Sequence, residues 1–468
     1  MTKEYVQMRE EDFLAQNFTQ LLNHYDFKDK RNFTQRYWSN DQFWDNKTGP
    51  IFVYICGEGT CRPPTTRGFP FQVCQDLNCL FLVLEHRYYG ASQPFPDWSS
   101  ENLKFLNSKQ ALADLDYFIK NQTTEIFNKY GTGVHKVLTI GGSYPGALSA
   151  WFKSQFPTTA DAAWSSSGVI DAIRNYTDYD LDVYTATSRS GVQCANQIKA
   201  IIDYVDQALK GNLPTDKVAY VKQLFGIKPE LDNGDFMYYL ADIFAGKVQY
   251  GARESLCNVL NSIHTSAIVT QLPVIKQIAD QMGMTDFEGY DRNLLKNVTY
   301  DINKNQRQWT WQVCTEFGWF QVPNPEHPMR SKFIGPQYWS PLCEAVFGAT
   351  YASDPDVNGT NSYYGGLDIQ GTNIVFANAI EDPWQYAGMR QIHDAATQSG
   401  MEAVLINCNN CAHCVDLHSP SGADAPTLIN ARNRIQKLVT KWLTPSAEEL
   451  EKAFGKEETK TPQEIYIQ

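Results

Sequence analysis

The stretch that decides the fold reads Val137-Leu-Thr-Ile-Gly-Gly-Ser143-Tyr-Pro-Gly-Ala-Leu-Ser-Ala-Trp-Phe152. A short apolar run ends in two glycines and a serine, and a segment with helical spacing follows. This order predicts a nucleophile elbow, in which a strand turns sharply into a helix and holds Ser143 in a strained backbone conformation. Pro145 replaces the last glycine of the usual G-x-S-x-G signature, which is compatible with the first turn of a helix. The alternative interpretation is an ordinary Gly-Ser loop.

Length and composition exclude several classes of protein. The chain of 468 residues exceeds one ordinary core, so we expect two domains or one domain with a large insertion. A hydrophobic content of 43% and a charged content of 20% are typical of a globular protein. The net charge of −12 argues against nucleic acid as a partner. No apolar run approaches about 18 residues, so we expect no membrane span.

Two features favour an oxidising compartment. Eleven cysteines, several of them closely spaced, fit disulfide chemistry better than the cytosol. N-x-[ST] sequons point the same way, and they occur at Asn17, Asn32, Asn46, Asn121, Asn175, Asn297 and Asn358. The first residues are charged and polar and do not form a signal peptide. We therefore predict a secretory protein whose leader is absent from this sequence.

Apolar runs on either side of a glycine loop predict two strands that are buried on both faces. They cover residues 50–56 and 79–85, and an alternating segment at 33–38 predicts an earlier strand. Residues 108–127 have the spacing of an amphipathic helix, and the strand of the elbow follows. Strands and helices in alternation indicate a mostly parallel sheet covered on both faces.

The pattern changes after residue 168. The next two hundred residues or so show helical periodicity without clear strand alternation, which predicts a helical insertion. Strand patterns resume at 372–377 and 402–406, and a final amphipathic helix precedes a charged tail that we expect to fray. We therefore predict an α/β core in two parts, with a helical cap between them; the segments are 30–168, 169–365 (the cap) and 366–445.

Two loops after the predicted late strands offer partners for Ser143. A serine becomes a strong nucleophile when a base takes its proton and another group orients that base. Asp382 and His413 each follow one of these strands, and in open α/β sheets the chemistry lies beyond the carboxyl ends of strands. The order Ser143, Asp382, His413 is that of α/β-hydrolases. Glu381 and Asp416 are rival acids in the same two loops.

The run Cys408-Asn-Asn-Cys411-Ala-His413-Cys414 also has the ligand types of a zinc site. A second pair of ligands at a suitable distance is missing, and disulfides explain these cysteines more simply. We predict neither a metal nor another cofactor.

Six short motifs occur in a fixed order along the chain. They are Gly57-Glu-Gly59, Glu85-His-Arg-Tyr-Tyr-Gly90, Gly141-Gly-Ser143-Tyr144, Trp311-Gln-Val-Cys-Thr-Glu316, residues 378–384, and Ala412-His413. Together they resemble the Pro-X serine carboxypeptidase family over residues 33–443. The resemblance implies an α/β-hydrolase core with a helical cap inserted before the acid loop. It also implies hydrolysis of peptides, commonly next to proline, in a secreted or lysosomal enzyme or in another acidic vesicle.

The resemblance also implies roles for single residues. Ser143 would be the nucleophile, Asp382 the orienting acid and His413 the base. The backbone N–H of Tyr144 would form the oxyanion hole with an N–H from the loop Gly57-Glu58-Gly59. Such a donor is typically worth a factor of about 10²–10³ in rate.

The substrate pocket is where this sequence departs from the family. The resemblance implies that Trp384, just after Asp382, forms one wall of the pocket that holds proline. Ala147 stands where related enzymes carry methionine, one helical turn after Ser143, so we expect a wider pocket. Cys414 stands where they carry a second histidine.

The resemblance favours cysteine pairs inside the cap, Cys314 with Cys343 and, less strongly, Cys194 with Cys257. Cys56 and Cys61 flank the loop at 57–60, and a bridge between them would stiffen one side of the oxyanion hole. Cys74 or Cys79 could compete for either partner. Because eleven is an odd number, at least one thiol is unpaired within a monomer, and Cys414 is our candidate.

Three functions compete for this sequence. The first is a serine exopeptidase whose partner is a peptide, with a homodimer as one option for its assembly. The second is a lipase or esterase on the same core. The cap argues against it, because it carries Trp309, Trp311 and Trp319 and not a long apolar lid. The third is a catalytically silent binding scaffold, against which the three intact catalytic candidates argue. The sequence leaves open whether dipeptides leave the amino end of a peptide or single residues leave its carboxyl end.

Overall fold

The computed structural model describes residues 13–63, 66–392 and 400–455. Within these residues the strands are β1 (Leu14–Leu21), β2 (Asn32–Asn40), β3 (Ile51–Ile55), β4 (Leu80–Leu84), β5 (Val137–Gly142), β6 (Ala162–Ser166), β7 (Ile173–Tyr176), β8 (Gly318–Gln321), β9 (Ile374–Ala379) and β10 (Met401–Ile406). Eight of them form one sheet in the order β1-β2-β4-β3-β5-β6-β9-β10. The six strands from β4 to β10 in this order pair in parallel, while β1 and β2 are antiparallel additions.

The helices divide between the sheet and the cap. Those that belong to the sheet are α1 (Phe69–Asp76), α2 (Ser100–Leu103), α3 (Ser108–Tyr130) and α4 (Tyr144–Gln155). The cap contributes α5 (Asp178–Ser188), α6 (Val192–Leu209), α7 (Thr215–Phe225), α8 (Asn233–Gln249), α9 (Arg253–Ile263), α10 (Ile268–Gln281), α11 (Arg292–Leu295), α12 (Gln306–Gln312), α13 (Pro336–Phe347) and α14 (Val357–Tyr364). Two helices close the chain, α15 (Pro426–Leu443) and α16 (Ala447–Phe454).

Helices cover both faces of the central strands, as the continuous apolar runs predicted. In β3, Ile51 and Val53 pack into the cluster that contains α3 and α4. Phe52, between them, packs with α1 and α15 on the opposite face. Both faces of the strand are therefore dry, which explains why its sequence does not alternate between apolar and polar residues. The α/β-hydrolase class that we predicted is confirmed.

The cap differs from the prediction in one respect. Inside this otherwise helical segment, β7 and β8 pair in parallel as a second, two-stranded sheet. Each strand has only four residues, and β7 reads Ile-Arg-Asn-Tyr, so neither is long enough to show strand alternation. The cap is therefore not purely helical.

The two ends of the core also extend further than predicted. β1 pairs with β2 along its whole length, ahead of residue 30. At the other end, residues that we expected to fray form α16, which begins with a capping box between Ser446 and Glu449. Glu449 also forms an ion pair with Lys136 at the start of β5. The charged tail is thus held on the core as far as Phe454.

Candidate active site

The elbow holds Ser143 between β5 and α4. Ser143 has φ 65° and ψ −130°, a conformation that is strained for any residue with a side chain. Its N–H donates to Ser166 O at 2.9 Å, which ties the turn to the end of β6. A Cβ on Gly141 would lie 2.1 Å from Pro145 O, and one on Gly146 would lie 2.6 Å from Ser166 O. Both glycines are therefore required for this turn.

Asp382 and His413 meet at the carboxyl ends of β9 and β10. His413 Nδ1 lies 2.9 Å from Asp382 Oδ2 and 3.0 Å from Oδ1. Asp382 is fully buried, and its Oδ1 also accepts the backbone N–H of Trp384 at 3.0 Å. This pairing leaves Nε2 of the imidazole available for proton transfer.

The two rival acids have other partners. Both oxygens of Glu381 accept from the guanidinium of Arg253, at 2.7 and 3.1 Å, and this ion pair is fully buried. Asp416 accepts from Trp164 Nε1 at 2.8 Å and from Ser166 Oγ at 2.5 Å. Neither carboxylate is paired with His413.

The histidine loop packs against the elbow. Cys414 donates its backbone N–H to Ser167 Oγ at 2.8 Å. Ser167 follows Ser166, whose carbonyl accepts the N–H of Ser143. A Cβ on Gly142 would lie 2.8 Å from Cys414 Sγ. The residue before Ser143 and the residue after His413 are therefore in contact, which brings the two loops to one site.

Electrostatics favour a charged His413. Burial disfavours the imidazolium, but the Asp382 carboxylate and the neighbouring Cys414 outweigh that effect and hold the pKa of His413 well above its usual value. Desolvation raises the pKa of the Glu58 carboxyl, which the positive charge of His413 partly offsets. Glu58 is thus close enough to His413 for their charges to interact.

The predicted oxyanion loop lies beside the elbow. A Cβ on Gly57 would lie 2.5 Å from Pro145 Cγ, so only glycine allows this approach to the first turn of α4. Cys56 and Cys61 close the loop with a disulfide. Tyr144 is the first residue of α4, where backbone N–H groups have no acceptor within the helix.

Aromatic rings surround Trp384. Its ring centroid lies 5.0 Å from that of Tyr179, 5.6 Å from Tyr176 and 6.2 Å from Trp319. A cavity of about 70 Å³ opens between Trp384 and other aromatic rings of the cap. Ala147 is fully buried in α4 and is not among the described residues that line this cavity, so its place in the substrate pocket stays a prediction.

Gln249 at the end of α8 is a site residue that the sequence analysis missed. Its side-chain Oε1 accepts from Trp384 Nε1 at 3.1 Å and from Tyr179 Oη at 3.0 Å. Its backbone oxygen accepts the N–H of His413 at 3.0 Å. One cap residue therefore contacts both His413 and Trp384. Nothing in the local sequence around it signals this, because each of these partners lies 70 residues or more away along the chain.

A buried hydrogen-bond network fixes the side chain of Tyr144. His86 Nδ1 lies 2.8 Å from Arg87 O and must carry the proton, so Nε2 accepts from Tyr144 Oη at 3.0 Å. The same hydroxyl accepts from Gln312 Nε2 at 2.9 Å, and Gln312 Oε1 accepts from Tyr89 Oη at 2.6 Å. Burial lowers the pKa of His86 to about 4, so the neutral ring persists at higher pH. His86, Tyr89 and Gln312 lie in quoted motifs, but their pairing was not predictable from them.

Disulfides join ten of the eleven cysteines, all of which lie among the described residues. The pairs are Cys56–Cys61, Cys74–Cys79, Cys194–Cys257, Cys314–Cys343 and Cys408–Cys411, and Cys414 is free. The run considered as a zinc site thus holds a disulfide. Across the described ranges no three His, Cys, Asp or Glu side chains form a metal-binding group. In the same ranges no helix combines the length and apolar character needed to cross a bilayer.

The mostly parallel sheet, with a serine on a strained turn after β5 and a paired acid and histidine after β9 and β10, defines an α/β-hydrolase. The model of the family described as Serine carboxypeptidase S28 matches residues 20–435, and the chain belongs to this family. It is therefore a serine-type peptidase.

Curated relatives cover most of the chain. Probable serine protease EDA2 of Arabidopsis thaliana is 32% identical over 86% of this chain and 80% of its own length. Thymus-specific serine protease of Homo sapiens is 28% identical over 91% of this chain and 85% of its own. Lysosomal Pro-X carboxypeptidase of Mus musculus is 27% identical over 91% and 88%.

Proposed function

We propose that this protein is a serine exopeptidase in which Ser143, His413 and Asp382 act as nucleophile, base and orienting acid. The observation that carries the proposal is the pairing of His413 Nδ1 with Asp382 at 2.9 Å, in a loop that packs on the elbow of Ser143. The fully buried carboxylate keeps the imidazole in the tautomer whose Nε2 can accept a proton.

The reaction has two halves. Ser143 Oγ attacks the peptide carbonyl carbon while His413 Nε2 takes its proton, and the carbonyl oxygen becomes an oxyanion. His413 then gives that proton to the leaving amine as the C–N bond breaks, which leaves an acyl-enzyme on Ser143. In the second half, water attacks the ester, gives a proton to His413 and releases the acid and the free serine.

The oxyanion needs preorganised donors. We assign this role to the N–H of Tyr144 and to an N–H of the Gly57-Glu58 loop. Two features support the assignment: the free position of Tyr144 at the start of α4, and the close packing of Gly57 on Pro145.

We further propose that the enzyme cleaves next to proline or another small residue. The cavity beside Trp384 is small and lined by flat aromatic rings, which suits a compact apolar ring better than a long side chain. The name of the mouse relative refers to a Pro-X bond and to the lysosome. Five disulfides fit an oxidising compartment, so we place the enzyme outside the cell or in acidic vesicles.

Three substrates test the proposal. A free-amine X-Pro amide reports dipeptide release and an N-blocked Pro-X acid reports carboxypeptidase activity, while a fatty acyl ester reports the lipase alternative. We expect turnover of one proline peptide, weaker turnover when phenylalanine replaces proline, and loss of activity after fluorophosphonate treatment. Turnover of the ester without turnover of either peptide would overturn the proposal.

A further inference from the structure

A buried acid from the cap reaches the loop that carries Asp382. Asp182 lies on α5 and is only 3% exposed. Its Oδ1 accepts from Gln385 Nε2 at 3.1 Å, and the same nitrogen donates to Ile380 O at 2.9 Å. Gln385 belongs to the turn after Asp382, because its backbone N–H donates to Asp382 O at 3.1 Å. A hydrogen-bonded contact therefore joins α5 to the loop of the orienting acid.

The hydrogen-bond pattern fixes the orientation of the amide. Both protons of Gln385 Nε2 are used, one on the carboxyl of Asp182 and one on the carbonyl of Ile380. Reversing the amide would place its oxygen against the carbonyl of Ile380, which is an acceptor itself. The carbonyl oxygen of Gln385 must consequently find a donor elsewhere.

Two buried oxygens of this pair have no partner. Asp182 Oδ2 and Gln385 Oε1 are both inaccessible to solvent and receive no hydrogen bond from any described residue. Two unpaired buried acceptors would be costly, and an ionised carboxylate would be the more costly of the two. One proton on Asp182 Oδ2 removes both problems, since it neutralises the acid and supplies a donor to the amide oxygen.

The charges around Asp182 favour the same state. Burial and the negative charge of Asp382 raise its pKa well above the usual value, and Asp178 on the same helix adds to this. Arg390 opposes the shift, but among the described residues no ion pair joins it to Asp182. Tyr176 on β7 also faces the pair, yet its hydroxyl donates to Pro383 O at 3.1 Å and accepts from Ala387 N–H at 3.2 Å.

We propose that Asp182 carries a proton in the active enzyme and, paired with the carboxamide of Gln385, acts as a positioning residue that holds the Asp382 loop only while it stays protonated. The inference rests on the proposed role of Asp382 in peptide hydrolysis. When the pH rises and Asp182 ionises, the contact with Gln385 Oε1 is lost. A second negative charge then stands beside Asp382, and repulsion between the two carboxylates loosens the turn that positions Asp382.

The variant Asp182→Asn separates this role from a merely structural one. Asparagine is always neutral, and its amide can donate to Gln385 Oε1 while its oxygen accepts from Gln385 Nε2. We expect kcat/KM at about pH 5 to stay at the parental level, and the alkaline limb of the profile to move up by about one pH unit or more. The matched control is Asp178→Asn, which removes a carboxylate one turn away on α5 and should not move that limb upward.

A second measurement does not depend on peptidase activity. Because the pKa of Asp182 is raised on folding, its contribution to stability is complete below about pH 4 and is lost as the pH rises towards the folded value. The Tm of Asp182→Asn relative to the parent should therefore increase steadily above about pH 4, whether or not a peptide substrate is known. A constant Tm difference, or a pH profile that is lower at every pH but not displaced, would overturn the inference. Failure of the parent to cleave peptides would count against the proposed function alone.

Discussion

The hydroxyl of Tyr144 offers a test of how the cap and the core share one buried network. Tyr144→Phe removes only that oxygen, from a side chain with no solvent exposure. Two buried groups lose their partner, the acceptor His86 Nε2 and the donor Gln312 Nε2, which stand 3.0 and 2.9 Å from the hydroxyl. Each unsatisfied buried group costs about 1–3 kcal/mol, so we expect a loss of about 2–6 kcal/mol.

The expected change can be read as a melting temperature. A chain of 468 residues has an unfolding entropy of about 1 kcal/mol per kelvin, so the Tm should fall by about 2–6 °C. The value of kcat should also fall, by less than the factor of about 10²–10³ for a lost oxyanion donor, because the backbone N–H of Tyr144 is displaced rather than removed. Differential scanning calorimetry and the peptide assay measure the two effects.

A matched control comes from the surface. Tyr25 is 58% exposed and its hydroxyl makes a hydrogen bond to Lys109 O at 3.1 Å, so Tyr25→Phe should change neither Tm nor kcat. If Tyr144→Phe matched Tyr25→Phe in both Tm and kcat, the buried network would contribute nothing to stability or catalysis, and our reasoning about it would be refuted.

Three further substitutions test the site and its surroundings. Asp382→Asn should lower kcat by about 10⁴, measured on the peptide substrate, because an amide in place of the carboxylate favours the wrong tautomer of His413. Glu381→Gln should instead destabilise the protein by about 3–5 kcal/mol in urea, because it strips the buried Arg253 of its carboxylate; a larger loss of kcat than for Asp382→Asn would mean that we have the wrong acid. Burial raises the pKa of Glu316 to about 7, and both its oxygens accept the Ser108 N–H at 3.0 Å. Its contribution to stability is therefore complete below about pH 4.5 and lost as the pH rises towards 7, so Glu316→Gln should flatten the fall in Tm over this interval. Identical melting profiles for the two proteins would contradict this.

Local sequence was enough to predict the sheet and the elbow. The buried runs of β3 and β4 are unmistakable because both faces of each strand are buried, and Gly141 is dictated by its close approach to Pro145 within the same turn. The four-residue strands of the cap were missed because a strand that short carries no period. The residues of the α16 capping box, Ser446 and Glu449, are visible in the sequence. The high charge of the tail nevertheless led us to predict that it frays.

The choice among acids shows what only tertiary structure supplies. Asp382 and Glu381 are adjacent in sequence, and nothing local separates them. In the folded chain Glu381 meets Arg253 of the cap, while Asp382 meets His413. The contacts of Gln249 and Gln312 are of the same kind, because each joins residues from the cap and the core that are distant in sequence.

The most direct test of the central claim is to locate the residue that a fluorophosphonate probe labels. Peptide mapping by mass spectrometry should find a single adduct, on Ser143 of the elbow peptide. Ser143→Ala should take up no label and hydrolyse no peptide, with an unchanged circular dichroism spectrum, because only the attacking oxygen is gone. An adduct on any other residue, or peptide hydrolysis by Ser143→Ala within about tenfold of the parent, would contradict the account.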